Sequence, residues 1–361
     1  MMKPTVSVIM PTYNHAPFVE QAIMSVLAQR DVDFELIISD DGSTDATRDV
    51  VAAIKDERIT FYPNTVNRGA CVVTNELIQR ASGEFIALIN SDDYWAVDDK
   101  LAYQVKILRE YPTIGATFGR ARFVDKAGQP MDKSSFPTGN IFDQDNRSQG
   151  LWLRRFFDLG NCICHPTMLI RKSCYDEVGL YSNRLRQLPD FDMWVKLVKK
   201  YDIHISEHEL INFRIMPGEN ASSQTASNSI RTINEHYLMA ESFFDGVSAS
   251  VLIEGFSDIL VCKDVPTQRH VDIESALLFF HYNQWLGAPY KMIGLLKLNQ
   301  LLNSPEHLEI LSRDYSIDDR WFQAQMGDVD VLRPKMVAVI GEKTFGMRQA
   351  FKNFFKLKQN V

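Results

Sequence analysis

No stretch of this chain reaches the ~20 consecutive apolar residues needed to cross a bilayer, so a membrane-spanning helix is not expected. Cysteine is scarce: Cys71, Cys162, Cys164, Cys174 and Cys262 are odd in number and follow no paired spacing. That excludes a disulfide-stapled scaffold. With no secretory h-region in the opening Met-Met-Lys-Pro, a reducing cytosol is expected. Basic residues are in deficit, 39 Lys and Arg against 46 Asp and Glu, for a formal net charge of -7. This argues against a nucleic-acid partner. Internal repeats and low-complexity tracts are absent too. One further absence carries chemistry. The turn after the first apolar run reads Pro-Thr-Tyr-Asn-His at 11–15, not Gly-x-Gly-x-x-Gly. A phosphate held by a glycine-rich backbone loop is therefore not expected, which turns attention to a metal.

What is present is ordinary in amount and particular in order. The 361 residues, 45% hydrophobic and 24% charged, suffice for one large domain with an appendage or for two domains. Thr5 to Met10 predicts a first buried strand, stopped by Pro11-Thr12-Tyr13-Asn14 because Pro cannot extend a ladder and Asn tolerates turn geometry. Phe18, Ala22, Val26 and Leu27 then recur at helical spacing. Phe34 to Ile38 predicts a second strand, leading into Asp40-Asp41-Gly42-Ser43-Thr44-Asp45, with Asp45 as the N-cap of a helix through Val51 and Ile54. Ile59 to Tyr62 predicts a third strand. Asn67-Arg68-Gly69 opens a helix to about Ala81, and Phe85 to Ile89 predicts a fourth strand. Alternating β and α with short connections is the signature of a parallel α/β sheet with right-handed crossovers.

That fourth strand ends in Asn90-Ser91-Asp92-Asp93. Turns at the carboxyl ends of parallel strands gather on one edge, where open α/β sheets bind ligands. Asp40, Asp41, Asp92 and Asp93 could therefore line one cleft. Adjacent carboxylates repel and are costly to desolvate, so they call for a cation. Hard oxygen ligands favour Mg²⁺ or Mn²⁺ shared with substrate phosphates. The competing reading of an Asp-Asp pair alone is a solvated turn.

Taken together, residues 5 to about 220 resemble the family 2 glycosyltransferases of GT-A fold. The resemblance rests on Pro-Thr-Tyr-Asn at 11–14, Asp-Asp-Gly-Ser-Thr-Asp at 40–45, Asn-Arg-Gly at 67–69, Gly-Glu-Phe-Ile-Ala-Leu at 83–88 and Ser-Asp-Asp at 91–93. It implies a Rossmann-like, mostly parallel sheet flanked by helices, and an inverting enzyme that uses a nucleotide-diphosphate sugar, with a UDP-sugar expected. By the same resemblance Pro11, Thr12 and Tyr13 border the base and ribose, and Asp40 and Asp41 hydrogen-bond uracil or ribose. Arg68 and Ser91 lie near the nucleotide, Asp92 with Asp93 meets the metal, and Trp95 and His165 contact the acceptor. Leu188-Pro189-Asp190-Phe191-Asp192-Met193-Trp194 is similar to the family's Glu-Asp-x-Asp-x-Trp element, which makes Asp190 the implied catalytic base. Asn212 to Gly218 matches its closing segment, in which Arg214 approaches the diphosphate. Asn90 and Met216 depart, standing where the family has Asp and often His; the expectation is weaker or more water-mediated metal binding. A sugar nucleotidyltransferase, or a non-catalytic nucleotide-sugar or glycan-binding protein, are the alternatives.

Elsewhere the pattern predicts a helix over 98–111, a strand over 114–124 and a polar, mobile loop over 126–150. Cys162-Ile163-Cys164-His165 lacks the separated ligand pairs of structural zinc and is read as core. The expected organisation is a GT-A domain over 1–225 (nucleotide half 1–95, acceptor half 96–225), a mainly α-helical region over 226–340 and a tail over 341–361. The helical region could meet the acceptor, form a homo-oligomer contact or complete the core. In the tail, Met347, Ala350, Phe351, Phe354 and Phe355 share a helical face amid five cations over 343–358. That composition suits peripheral contact with an anionic membrane or docking on the protein itself. The expected partners are a sugar-nucleotide donor and a glycan or lipid-linked acceptor in bacterial surface polysaccharide synthesis, with the protein in the cytoplasm or on the cytoplasmic face of the inner membrane.

Overall fold

The computed structural model describes residues 3–136, 138–218, 225–282 and 286–331. The expected tail over 341–361, with its 343–358 helix, lies outside the described residues. The chain begins with three β/α steps and a fourth strand: β1 (Val6–Thr12), α1 (Val19–Leu27), β2 (Phe34–Asp40), α2 (Thr47–Ala53), β3 (Ile59–Pro63), α3 (Ala70–Arg80) and β4 (Phe85–Leu88). It continues through β5 (Tyr94–Trp95), α4 (Lys100–Glu110), β6 (Ile114–Val124), α5 (Gln149–Leu159), β7 (Leu169–Arg171), α6 (Cys174–Val178), α7 (Pro189–Val198) and β8 (Asp202–Arg214). The C-terminal region is helical: α8 (Ala226–Ser242), α9 (Ala249–Phe256), α10 (Gln268–His281), α11 (Gly287–Leu302), α12 (Pro305–Tyr315) and α13 (Asp319–Asp328).

The eight strands of the described residues form one sheet in the order β3-β2-β1-β4-β7-β6-β8-β5. The first four pair in parallel, as do β6 and β8, while β7 and β5 join antiparallel, so the sheet is mixed. Period-two alternation divides its two faces. Val6, Val8, Met10, Phe85, Ala87 and Ile89 pack with α1 and α4 on one face. Ile9, Ile86 and Leu88 pack with α3 and α7 on the other. Each apolar run is thus buried on both sides, which is why it reads as continuous.

The helical region completes the second of these cores. Phe157 of α5 meets Phe243, Phe244, Phe256, Phe279, Tyr282 and Tyr290 at ring-centroid distances of 5.1–6.0 Å. Such aromatic pairs add roughly 0.5–1.5 kcal/mol each beyond their buried area. The polar stretch 126–150 is also tied down. Phe136 and Phe142 stand edge-on to Phe123 at 5.6 and 6.2 Å, Lys133 pairs with Asp143 at 2.9 Å, and Asn146 brackets the backbone of Ile205. Its polar composition predicts a mobile loop, but two aromatic contacts, an ion pair and an amide bracket dock it on β6 and β8.

Candidate active site

The carboxyl ends of β1, β2 and β4 meet at one edge, and hydrogen bonds between their turns fix the arrangement. Thr12 and Asp40 are register partners, and the Asp41 N–H donates to the Thr12 carbonyl at 2.8 Å. Asp40 is fully buried. Its carboxylate accepts from Gly42 N at 3.1 Å, Ser43 N at 2.9 Å and the Ser43 hydroxyl, with Arg48 Nε 3.3 Å away. Asp41 accepts from the backbone N–H groups of Arg68 at 2.7 Å and Gly69 at 2.9 Å. Both acids therefore shape loops through backbone donors. Gly42 lets those loops close: φ is +76°, and an added Cβ would stand 2.6 Å from Asn67 N. Asp45, expected as the N-cap of the next helix, stands one residue before the N-cap Ala46 and accepts from Thr47 N at 3.0 Å.

Tyr13 is 42% exposed beside buried Thr12, whose Oγ1 has no hydrogen-bond partner among the described residues. Asn14 takes the left-handed conformation at φ +53° and ties this turn to Ser43 and Thr44. His15, which sequence reasoning missed, bonds through Nδ1 to the Ser91 hydroxyl at 2.7 Å. It joins the β1 turn to the β4 turn across 76 positions. The Arg68 side chain projects outward and is paired bidentately with Glu76 at 2.5 and 2.8 Å.

In Asn90-Ser91-Asp92-Asp93 the two acids have different surroundings. Asp93 is buried, with Oδ1 accepting from Arg214 N at 2.8 Å and Oδ2 from the Asn90 amide at 3.2 Å. Burial, then the neighbouring Asp92 charge, push its carboxyl well above the usual carboxylate range. Asn90 thus acts as a donor to this buried acid, a task that an ionised carboxylate could not perform. Asp92 is half-buried and its carbonyl accepts from Arg214 Nε at 2.8 Å. Arg214, expected at a diphosphate, is only 2% exposed. Its guanidinium binds the carbonyls of Asp92, Asp125 and Lys126 and the Gln21 side chain, between the rings of Phe18 and Tyr94 at 4.8 and 5.4 Å. In this conformation it braces the Asp92-Asp93 turn from inside. The β5–β8 pairing explains how positions 121 apart come together.

Asp190 stands in the first turn of α7. Oδ1 accepts from Phe191 N at 2.8 Å and Oδ2 from the Asn161 amide at 2.9 Å. Burial pushes its carboxyl up to about 6 against those two lowering bonds. Asn161 had no sequence signal beyond following Gly160, the C-cap of α5. Burial also raises the Cys164 thiol, and the charges of Asp93 and then Asp190 add to it. Both acids thus act electrostatically on Cys164, one from the donor edge and one from α7. Asp192 is turned to a different task, pairing with Lys196 at 2.6 Å.

The two residues expected at an acceptor are both engaged. Trp95 is 4% exposed, its indole N–H reaching the Pro166 carbonyl at 3.4 Å and its ring 4.4 Å from the Lys100 ammonium; this side chain is a core element. His165 Nε2 meets the Tyr181 hydroxyl at 2.8 Å, and burial lowers the imidazole to about 4, which leaves it neutral at pH 7. Cys162 and Cys164 are buried in the cores as free thiols. Among the described residues no three His, Cys, Asp or Glu side chains form a preformed metal cage. The donor chemistry still fits one hard cation at the half-buried Asp92, with substrate oxygens completing the shell, while Asp93 is buried and spends its oxygens on Arg214 N and Asn90. Also among the described residues, no helix is long and apolar enough to cross a membrane.

The family model for glycosyl transferase family 2 matches residues 7–178. The chain is 32% identical over 218 residues to TuaG of Bacillus subtilis, named for teichuronic acid biosynthesis, covering 58% of this chain and 81% of that protein. It is 44% identical over 200 residues to WcaA of Escherichia coli, named for colanic acid biosynthesis, covering 55% of this chain and 67% of that one. Among solved structures it is similar to S. aureus TarS 1-349 in complex with UDP-GlcNAc, with a TM-score of 0.51 at 19% identity over 91% of this chain and 80% of that one. The mannosyltransferase PcManGT from Pyrobaculum calidifontis, in complex with GDP-Man and Mn²⁺, gives 0.50 at 18% identity over 91% and 87%. The fold is the GT-A arrangement.

Proposed function

The chain belongs to glycosyl transferase family 2, and on that premise we propose that it is an inverting transferase. It moves a hexosyl or N-acetylhexosaminyl group from a UDP-sugar to a hydroxyl of a glycan or lipid-linked acceptor. The observation that carries this reading is Asp190: a half-buried acid in the first turn of α7, raised by burial to about 6 and held by the Asn161 amide at 2.9 Å and Phe191 N at 2.8 Å. At pH 7 such a carboxyl is ionised, yet basic enough to take a proton. The acceptor oxygen attacks the anomeric carbon while its proton passes to Asp190, and the bond to the diphosphate oxygen breaks with its electron pair. A positioned base typically contributes about 10²–10⁴-fold.

The donor lies over the turns of β1, β2 and β4. Tyr13 offers an exposed ring to the base, and Pro11 and Thr12 form the floor below it. Asp40 and Asp41 hold the loops that border the ribose, with the Arg68 side chain at the rim. His15 fixes Ser91, and Arg214 fixes the Asp92-Asp93 turn from behind. Asp92, with Asp93 behind it, would hold Mg²⁺ or Mn²⁺, which when bound neutralises charge on the leaving diphosphate.

The names of TuaG and WcaA support a role in bacterial surface polysaccharide synthesis. The basic 343–358 segment supports work at the cytoplasmic face of the inner membrane. A thermal-shift panel of UDP-, GDP- and dTDP-sugars, with and without Mn²⁺, tests the donor. Stabilisation by a UDP-sugar, increased by Mn²⁺ and lost in chelator, is expected. Stabilisation by none of them would refute the proposal.

A further inference from the structure

Helix α8 lies beyond the residues that match the family model, yet it reaches the turn that carries Asp190. Glu235 on α8 is 4% exposed, and its carboxylate is filled by three backbone donors. Oε1 accepts from Arg186 N at 2.9 Å, and Oε2 accepts from Gln187 N at 2.8 Å and Leu188 N at 2.9 Å. Leu188 is the N-cap of α7, and no side chain of its own caps the helix. N–H groups at a helix entrance have no intrahelical acceptor, and Pro189 brings no N–H at all. An acid 47 positions away thus serves the N-cap N–H, as the Glu of a capping box would from N3. The neighbouring His236 stacks its ring 5.9 Å from Phe191. Its Nε2 lies 3.9 Å from where an added Cβ on Gly160 would stand, and Gly160 precedes Asn161, which donates to Asp190. Helix α8 thus bonds the residues before Asp190 and packs against the residue after it.

We propose that Glu235 is the positioning residue for Asp190: by locking the 186–188 turn it fixes the direction in which the first turn of α7 presents that carboxylate. The inference rests on Asp190 acting as the base. It makes the helical region part of the transfer apparatus as well as of the core. A glutamine at 235 offers one acceptor and one donor, so at least one of the three N–H groups would face another N–H. An aspartate keeps both acceptors and the charge but is one methylene short. Loosening the turn also admits water to Asp190, whose raised value comes from burial.

The test compares E235Q, E235D and D190N with the full-length wild type, well below their melting temperatures and with folding checked by circular dichroism. UDP with Mn²⁺ is the binding probe, and UDP release from the sugar nucleotide selected by the panel above reports turnover from pH 4.5 to 8. In E235Q, UDP affinity is expected within twofold of wild type and kcat lower by about 10–100-fold, the cost of a misplacement near 1 Å. The acid limb of its pH profile is expected to move down toward the usual carboxylate range. E235D should recover at least threefold of the lost kcat. If E235Q does not fold, E235D decides on the same two readouts, a reduced kcat and a displaced limb. A purely structural Glu235 would lower the melting temperature and leave both readouts of the folded variants at wild-type values; that result, with D190N inactive, overturns this inference alone. Transfer that persists in D190N overturns the assignment of Asp190 and this inference with it.

Discussion

Replacing Asp190 by asparagine should cost activity and add stability. Burial lifts this carboxyl from 3.8 to about 6. At 1.36 kcal/mol for each pH unit that is about 3 kcal/mol. Asp190 is only half-buried by its surface, and solvent screening reduces the figure to roughly 1–2 kcal/mol. The folded chain binds the proton more tightly than the unfolded one. Stability linked to Asp190 is therefore full below pH 4, falls as pH rises from about 4 to 6, and is lost above 6. Asparagine never ionises and escapes that loss. Urea unfolding should show D190N more stable than wild type by roughly 1–2 kcal/mol at pH 8, with the gap shrinking at pH 4.5. Transfer measured on the same preparations should fall by about 10²–10⁴-fold. A D190N variant less stable than wild type at pH 8, or a gap independent of pH, would refute the account of burial and ionisation.

Asn161→Leu removes an amide that favours the ionised form of Asp190, so the acid limb of the transfer profile should move above pH 6; an unmoved or lowered limb contradicts the 2.9 Å bond as its cause. Gly42→Ala adds a Cβ against the backbone of Asn67 at positive φ, and should lower stability by more than about 1 kcal/mol and weaken UDP binding, measured by urea unfolding and calorimetry. Lys100 is buried beside Trp95 and Gln104, and burial lowers its ammonium from 10.5 to about 7. The folded chain then binds fewer protons than the unfolded one between pH 7 and 10.5, so wild-type stability gains from raising the pH across that window. Lys100→Met should remove its share of that gain, seen as a smaller rise in urea midpoint from pH 7 to 9.5 than in wild type.

Much of the fold and the donor edge was legible in the sequence because each depends on local order. Continuous apolar runs such as Phe85 to Ile89 report burial on both faces. A turn of Pro, Asn or Asp after each run reports where the ladder stops, and parallel connections bring those turns to one edge. What an individual polar side chain does there was not legible, because it depends on partners far along the chain. Asp40 and Asp41 stand where expected but spend their oxygens on backbone donors. Arg214 sits behind the acidic turn because the β5–β8 pairing carries it there. Trp95 is enclosed by residues from 100 and 166.

The order and spacing of the motifs thus determined the class of fold and the set of chemical groups at its edge, since period and turn chemistry are properties of neighbouring residues. Only the tertiary structure decided which of those groups is a ligand, which a brace and which a raised acid. Burial, and the filling of a donor or acceptor, are settled by whatever part of the chain packs alongside, as Asn161 and Glu235 do for Asp190.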